Sequence, residues 1–160
     1  EWQCGTLQVD MVLPERLNAT FTNTNGEKEY AVMLHRAILG SLERFIGILI
    51  ENHAGRFPMW LAPVQVALIN VTNETDDYVD EVFEKLKRNG IKVIADKSSE
   101  KISYKLRKQM EQKIPVIAII GEREKNNKTL TIRYCGNKEE KVLSIDDLIS
   151  EVKDKISRKI

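Results

Sequence analysis

Two patterns of apolar residues succeed one another along the chain and change near residue 60. In the first stretch Trp2, Cys4, Leu7, Val9 and Val12 read as a half-buried strand, and Val32, Met33, Leu34, Ala37, Ile38 and Leu39 as a buried strand region. Leu42, Phe45, Ile46, Leu49 and Ile50 then fall at i, i+3, i+4, i+7 and i+8, the spacing of one helical face. Gly40-Ser41 is the strand-to-helix junction between them. Asn23-Thr24-Asn25-Gly26-Glu27 carries the Asn-Gly chemistry of a hairpin turn, which makes an antiparallel pair of the segments around it. The helix runs to about His53, is ended by Gly55 and Pro58, and opens into a hinge bracketed by Pro58 and Pro63.

Beyond residue 62 strands and helices alternate. Val64 to Val71 is a near-continuous apolar strand; Thr75 caps a helix with Asp76 and Asp77 in its first turn, and Gly90 closes it after Asn89. Ile91 to Ala95 is the next strand. A helix capped by Ser98 or Ser99 carries Ile102, Leu106 and Met110 on one face and stops before Pro115. Val116 to Ile120 reads as a strand covered on both sides. Leu130, Ile132 and Tyr134 alternate with Thr129, Thr131 and Arg133 in a half-exposed strand, and Ser144-x-x-Asp147 caps a last helix. This alternation predicts an α/β layered domain with a mixed, mainly parallel sheet and flanking helices. The expected domains are therefore 1–60 and 61–160.

The formal net charge of +1 over 160 residues argues against a chain coated in positive charge. Its basic residues are nonetheless uneven: Lys97, Lys101, Lys105, Arg107, Lys108 and Lys113 face only Glu100 and Glu111 in one short stretch. By charge alone that is a solvated helix face, with a polyanion footprint as the rarer alternative. Two cysteines, Cys4 and Cys135, fall in different predicted regions, as suits a reducing compartment. No apolar run of about eighteen residues is present.

The segment His35-Arg36-Ala37-Ile38-Leu39-Gly40-Ser41-Leu42-Glu43-Arg44 resembles motif 3 of the class II aminoacyl-tRNA synthetases, in the form found in the threonyl-tRNA synthetase family. Glu1-Trp2-Gln3-Cys4-Gly5-Thr6-Leu7-Gln8-Val9-Asp10 is similar to the active-site strand before that motif, and Leu13-Pro14-Glu15-Arg16-Leu17 continues the match. Phe57-Pro58-Met59-Trp60-Leu61-Ala62-Pro63-Val64-Gln65-Val66 resembles the passage into the family's anticodon-binding domain. The resemblance implies that the chain carries the C-terminal end of an antiparallel-sheet catalytic domain, followed by an α/β anticodon-binding domain. It also implies a parent enzyme, a threonine–tRNA ligase that activates threonine with ATP and Mg2+ and transfers it to tRNA(Thr). That enzyme is a cytoplasmic homodimer with no membrane partner. Motifs 1 and 2 are missing here, so the piece alone is expected to be inactive.

Each candidate residue also has a plainer reading. A lone histidine on a strand is usually satisfied structurally; the resemblance makes His35 the third ligand of a catalytic Zn2+ whose other ligands, a cysteine and a histidine, lie upstream. Arg44 can be an ordinary helix residue. A cation in a helix's first turn meets the positive end of the macrodipole, however, and an intervening anion reverses that sign. The resemblance makes Arg44 the arginine that holds ATP's terminal phosphates. Ser41 can be only a helix cap, and Gln3, Cys4, Thr6 and Gln8 can be only the polar face of a strand; the family places Ser41 in the active site and the other four along the adenylate pocket, Gln3 also toward ATP. Its anticodon contacts fall on Ser99, Lys113, Glu124 and Arg133, of which Glu124 and Arg133 otherwise read as a surface pair. An acceptor-only carboxylate and a fixed-fork donor suit base edges. At Ser99 the bacterial family typically has asparagine.

Overall fold

Residues 2–137 and 139–160 are described by a computed structural model, in which the chain falls into two units, Glu1–Asn52 and His53–Ile160. In the first, strand β1 (Gly5–Asp10) leads through a short helix α1 (Val12–Arg16) to the hairpin β2 (Thr20–Thr22) and β3 (Lys28–Tyr30), then to β4 (Met33–Ile38) and helix α2 (Leu42–Asn52). The Asn25-Gly26 turn forms as expected. Asn23 Oδ1 accepts from the amides of Asn25 and Glu27 at 2.9 Å each, and Gly26 adopts φ +85°, a conformation that favours glycine. Helix α1 was not foreseen from the apolar pattern. It starts because Asp10 Oδ1 accepts from the amides of Val12 and Leu13, both at 2.9 Å, and Pro14 lies in the first turn, where a missing N–H is harmless.

β1 and β4 pair antiparallel, with Gln8 opposite His35 and Leu7 opposite Arg36. The expectation that this region is buried is not met. Leu7, Val9, Leu34 and Ile38 share one face of the two-stranded ladder and are each about three-fifths exposed or more, because no further layer among the described residues covers them. Helix α2 likewise has its apolar stripe but no fully buried residue.

The second unit contains β5 (Val66–Asn70), a 3-10 turn (Asn73–Thr75), α3 (Asp76–Arg88), β6 (Val93–Asp96), α4 (Ile102–Glu111), β7 (Val116–Ile120), α5 (Glu122–Asn127), β8 (Thr129–Tyr134), β9 (Glu140–Ser144) and α6 (Ile145–Ser157). Residues 53–60 pack with it: Met59 belongs to its core, and the Met59 amide donates to the Ile160 carbonyl. The sheet order is β6-β5-β7-β8-β9, parallel across the first three strands and antiparallel across the last two pairings, so four of five strands point the same way. This is the mixed, mainly parallel sheet expected.

Alternation sends Val66, Leu68, Val116, Ala118, Ile120, Leu130 and Ile132 to one face, where α3 and α6 close over them with Val79, Val82, Leu86, Leu148 and Val152. Each such aliphatic side chain contributes about 1.5–3 kcal/mol on burial. The opposite face carries Ala67, Ile69, Ile117, Ile119, Thr131 and Arg133, in register across β5, β7 and β8. There α4 packs on β5, and α5 on β7 and β8. Because β5 lies between β6 and β7, the connection through α3 leads to one side of it and the connection through α4 crosses back to the other, and the carboxyl ends of such strands frame the crevice where these sheets bind ligands.

Two caps differ from expectation. Thr75 occupies the N-cap position of α3, yet its hydroxyl donates to the Thr72 carbonyl at 2.9 Å instead of accepting from the helix. α4 begins after Lys101, not Ser98 or Ser99, because Ser98 turns its amide and hydroxyl toward Asp96 Oδ1. Its Ile102, Leu106 and Met110 are only half-buried, while Lys105 and Gln109 are the buried pair.

Candidate functional site

In the first unit the β1–β4 register sets Thr6, Gln8, Asp10 and His35 on one face of the ladder. His35 is half-buried, and its Nε2 donates to Asp10 Oδ2 at 3.1 Å. An ionised carboxylate only accepts, so Nε2 carries the proton and the neutral ring's lone pair lies on Nδ1. The amides of Leu13 and Val12, and then His35 itself, hold the Asp10 carboxyl below the usual carboxylate range. A histidine oriented by a carboxylate on one nitrogen, with the other nitrogen left to coordinate, is the arrangement metal-binding histidines adopt. His35 therefore fits a role as one zinc ligand. Among the described residues no group of three or more His, Cys, Asp or Glu side chains converges to hold a metal.

Leu39 and Gly40 both adopt left-handed φ, +67° and +65°, turning the chain sharply from β4 into α2. Ser41 then caps the helix: its Oγ accepts from the Arg44 amide at 3.2 Å and donates to Glu43 Oε2 at 2.7 Å. The plainer reading of Ser41 is thus realised. Arg44 lies in the first turn of α2, exposed, and among the described residues it has no ion-pair partner. Cys4 and Thr6 line an open hollow of about 670 Å³ with Arg36, Ala37, Ile38 and Leu39, and Gln3 lies exposed just before β1.

In the second unit Glu124 and Arg133 lie on the same sheet face. Glu124 Oε2 accepts from the Gly121 amide at 2.9 Å, and Oε1 accepts from the Thr131 hydroxyl at 2.8 Å; Arg133 lies two residues beyond Thr131, on the same side of β8. The carboxylate is fixed as a helix cap and keeps unused lone pairs, since it has about four acceptor sites. Gly121 is a residue the sequence reading missed: as the N-cap of α5 its amide donates to Glu124, and a Cβ there would approach Glu124 Oε2 to 3.0 Å, a tight fit that a small shift of that side chain relieves. Arg133 stands 4.0 Å from Glu140, and its buried Nε has no hydrogen-bond partner among the described residues. Lys113 joins it along a hollow of about 460 Å³, together with Arg56, Ser103, Arg107 and Glu111.

Ser99 is not brought into this group. It is exposed in the loop after β6, and three strand spacings, about 14 Å, separate β6 from β8. Lys105 requires a larger correction. Expected on an exposed basic face with Lys97, Lys101, Arg107 and Lys108, it is 1% exposed. Its ammonium donates to the backbone carbonyl of Asn70 at 3.2 Å and to Asn70 Oδ1. Asn70 Nδ2 in turn donates to Asp76 Oδ1 at 2.7 Å, and Gln109 Nε2 to Asp96 Oδ2 at 3.2 Å. Lys97 is also engaged, with Asp80 at 2.8 Å. The basic face of α4 is thus smaller than its sequence suggests.

Comparison with known proteins places both units. The anticodon binding domain family matches residues 65–155, and the tRNA synthetase class II core domain (G, H, P, S and T) matches residues 1–53. Threonine–tRNA ligase of Rickettsia bellii (strain RML369-C) is 56% identical over 160 residues, covering all of this chain and 25% of the relative. The enzyme of Rickettsia rickettsii (strain Sheila Smith) is 56% identical over 154 residues, 96% of this chain and 24% of its own length. The chain therefore spans about a quarter of the length of the curated relatives it matches. Among solved structures, the RNA binding domain of threonyl-tRNA synthetase from Cryptosporidium parvum Iowa II aligns with a TM-score of 0.81 at 32% identity, over 96% of this chain and 39% of that one. Prolyl-tRNA synthetase from Cryptosporidium parvum aligns with a TM-score of 0.75 at 22% identity, over 98% of this chain and 35% of that one, a likeness of fold alone.

Proposed function

Because the chain belongs to the anticodon-binding-domain family and is homologous along its length to threonine–tRNA ligases, we propose that it forms part of such a ligase, with residues 1–60 completing its catalytic domain and 61–160 reading tRNA(Thr). The observation that carries this reading is a pre-positioned carboxylate, Glu124, and an underused guanidinium, Arg133, placed on the same face of the sheet. An acceptor on α5, fixed to Thr131, and a forked donor two residues further along β8 can take the polar edges of neighbouring bases. Lys113 supplies a cation beside Arg133. Ser99 lies remote from that pair, exposed in the loop after β6.

In the parent ligase the partners are threonine, ATP with Mg2+, and tRNA(Thr), and the enzyme works as a cytoplasmic homodimer. Among the described residues no helix is long and apolar enough to cross a membrane. Within the first unit, Arg44 would bind ATP's terminal phosphates, which also offsets its unfavourable place at the helix start. Gln3, Cys4, Thr6 and Gln8 would line the adenylate pocket, and Ser41 would hold the turn from which Arg44 projects. His35 would contribute its Nδ1 lone pair to the Zn2+. With two further protein ligands, a Zn2+ held there would supply Lewis-acid coordination of threonine's amino and hydroxyl groups, a basis for rejecting valine that an apolar pocket lacks.

The exposed apolar face of β1 and β4 supports the same assignment, since a ladder of two strands gains stability only as part of a larger layer. The test of the RNA reading is a binding comparison between the tRNA(Thr) anticodon stem-loop and one with a mutated anticodon. Arg133→Ala and Glu124→Ala should each narrow the gap by about 1–3 kcal/mol, the discrimination a base-edge contact supplies. Equal loss on both RNAs for Arg133→Ala would make that residue a backbone contact or a structural one.

A further inference from the structure

Four cations line one side of the α4–β8 hollow: Arg56, Arg107, Lys113 and Arg133, against the single carboxylate of Glu111. Their pairing is poor. Glu111 stands 3.6 Å from Arg107 Nε and Glu140 4.0 Å from Arg133, both longer than the 2.7–2.9 Å of a charge-assisted hydrogen bond. Arg133 Nε is buried without an acceptor among the described residues, which leaves a strong donor available. Collecting like charges around a hollow is unfavourable until an anion enters it, and guanidinium forks match phosphate oxygens two at a time.

We propose that this hollow holds a phosphodiester of the bound RNA backbone, with Arg56 and Arg107 as its ligands in addition to Lys113. The inference rests on the RNA-binding reading above and adds residues to it. Arg56 precedes the strand-rich part of the unit, and it is brought to the hollow by its packing against the β8–β9 turn. Gly136 there has φ +87°, and a Cβ on it would sit 3.4 Å from Arg56 Nη1. Lys113 is set in place by the left-handed turn that ends α4, φ +58°. Leu106 and Met110 give the hollow an apolar wall, and its volume of about 460 Å³ exceeds what one phosphate group occupies, so a sugar or base has room beside it. Because Arg133 belongs both to the hollow and to the face that carries Glu124, a backbone seated here passes directly to the base-reading pair.

Binding of the 160-residue chain to cognate and anticodon-mutated stem-loops, measured across a salt series, tests this. Arg56→Ala and Arg107→Ala should weaken both RNAs alike, leave their ratio unchanged, and each lower the slope of log K against log salt by about one unit. Glu111→Gln should tighten both. Unchanged affinity and slope in the two arginine variants, while Arg133→Ala still narrows discrimination, would overturn the backbone site and leave the RNA reading standing. Absence of any discrimination by the wild-type chain would instead sink the RNA reading. Titration with inorganic phosphate supplies the last arm: phosphate binding that depends on Arg56, with RNA affinity indifferent to it, would make the hollow a free-anion site and overturn the proposal.

Discussion

Lys105→Ala should lower the thermal midpoint of the second unit by roughly 15 °C, corresponding to about 3 kcal/mol in a domain of this size. The ammonium is buried and is the donor that satisfies the Asn70 carbonyl and side-chain oxygen at the end of β5. Removing it strands buried acceptors, at about 1–3 kcal/mol, and truncating the stem opens a void beneath α4. Lys105→Met separates the two contributions, because it keeps most of the stem and loses only the charge and its hydrogen bonds. It should recover part of the midpoint and no more. Circular dichroism melts of the full chain measure both variants. A Lys105→Ala midpoint within a degree or two of wild type would mean that the ammonium is solvated, as the sequence alone suggests. The same variants should alter RNA affinity only as far as they unfold the domain, whereas exposed Lys101 and Lys108 remain available to phosphate.

His35→Ala, made in a full-length threonine–tRNA ligase that contains this segment, should abolish threonine-dependent exchange of pyrophosphate into ATP and reduce bound zinc. Losing one ligand of a three-ligand open site removes both the metal's hold and its substrate geometry. The expected loss exceeds the 10–100-fold typical of changes in the residues that orient a metal ligand. Asp10→Asn is the informative companion. Asparagine can still cap α1, but its amide donates to Nε2, where the carboxylate accepted; the ring proton is then driven to Nδ1, the nitrogen left to coordinate. Zinc retention should fall by about 10–100-fold with α1 intact. Normal zinc content by elemental analysis in both variants would remove His35 from the metal site.

The contrast between these two lysine and histidine cases shows where the sequence is legible. Turns are local: Gly40-Ser41, Asn25-Gly26 and Gly90 each stand where a left-handed or capped backbone is needed, and each appears where expected. The α/β alternation is equally local, since each crossover is announced by a change of apolar period. Lys105 is different. Along α4 it falls among Lys101, Arg107 and Lys108, and nothing in that spacing reveals that Asn70, thirty-five residues earlier, supplies acceptors at the carboxyl edge of β5. Helix α1 was within reach: Asp10, two donors later and Pro14 make a helix start, overlooked because the apolar residues around it read as strand. The candidate site divides along the same line. Glu124 and Arg133 share a face through sheet register, whereas the separation of Ser99 from them follows from the strand order β6-β5-β7-β8, which no local spacing encodes.

The uncovered ladder of β1 and β4 has a bearing on how the polypeptide behaves at high concentration. Each strand has one partner and one open edge among the described residues, and Leu7, Val9, Leu34 and Ile38 form a sticky, uncharged stripe broken only by Arg36. Backbone groups on such an edge can recruit another strand, and the stripe offers that recruit a dry surface. A net charge of +1 supplies little colloidal repulsion against it. Any precipitation or strand stacking at high concentration should therefore originate in residues 1–52, and shortening the chain to His53–Ile160 should remove its source while keeping the closed core of the second unit.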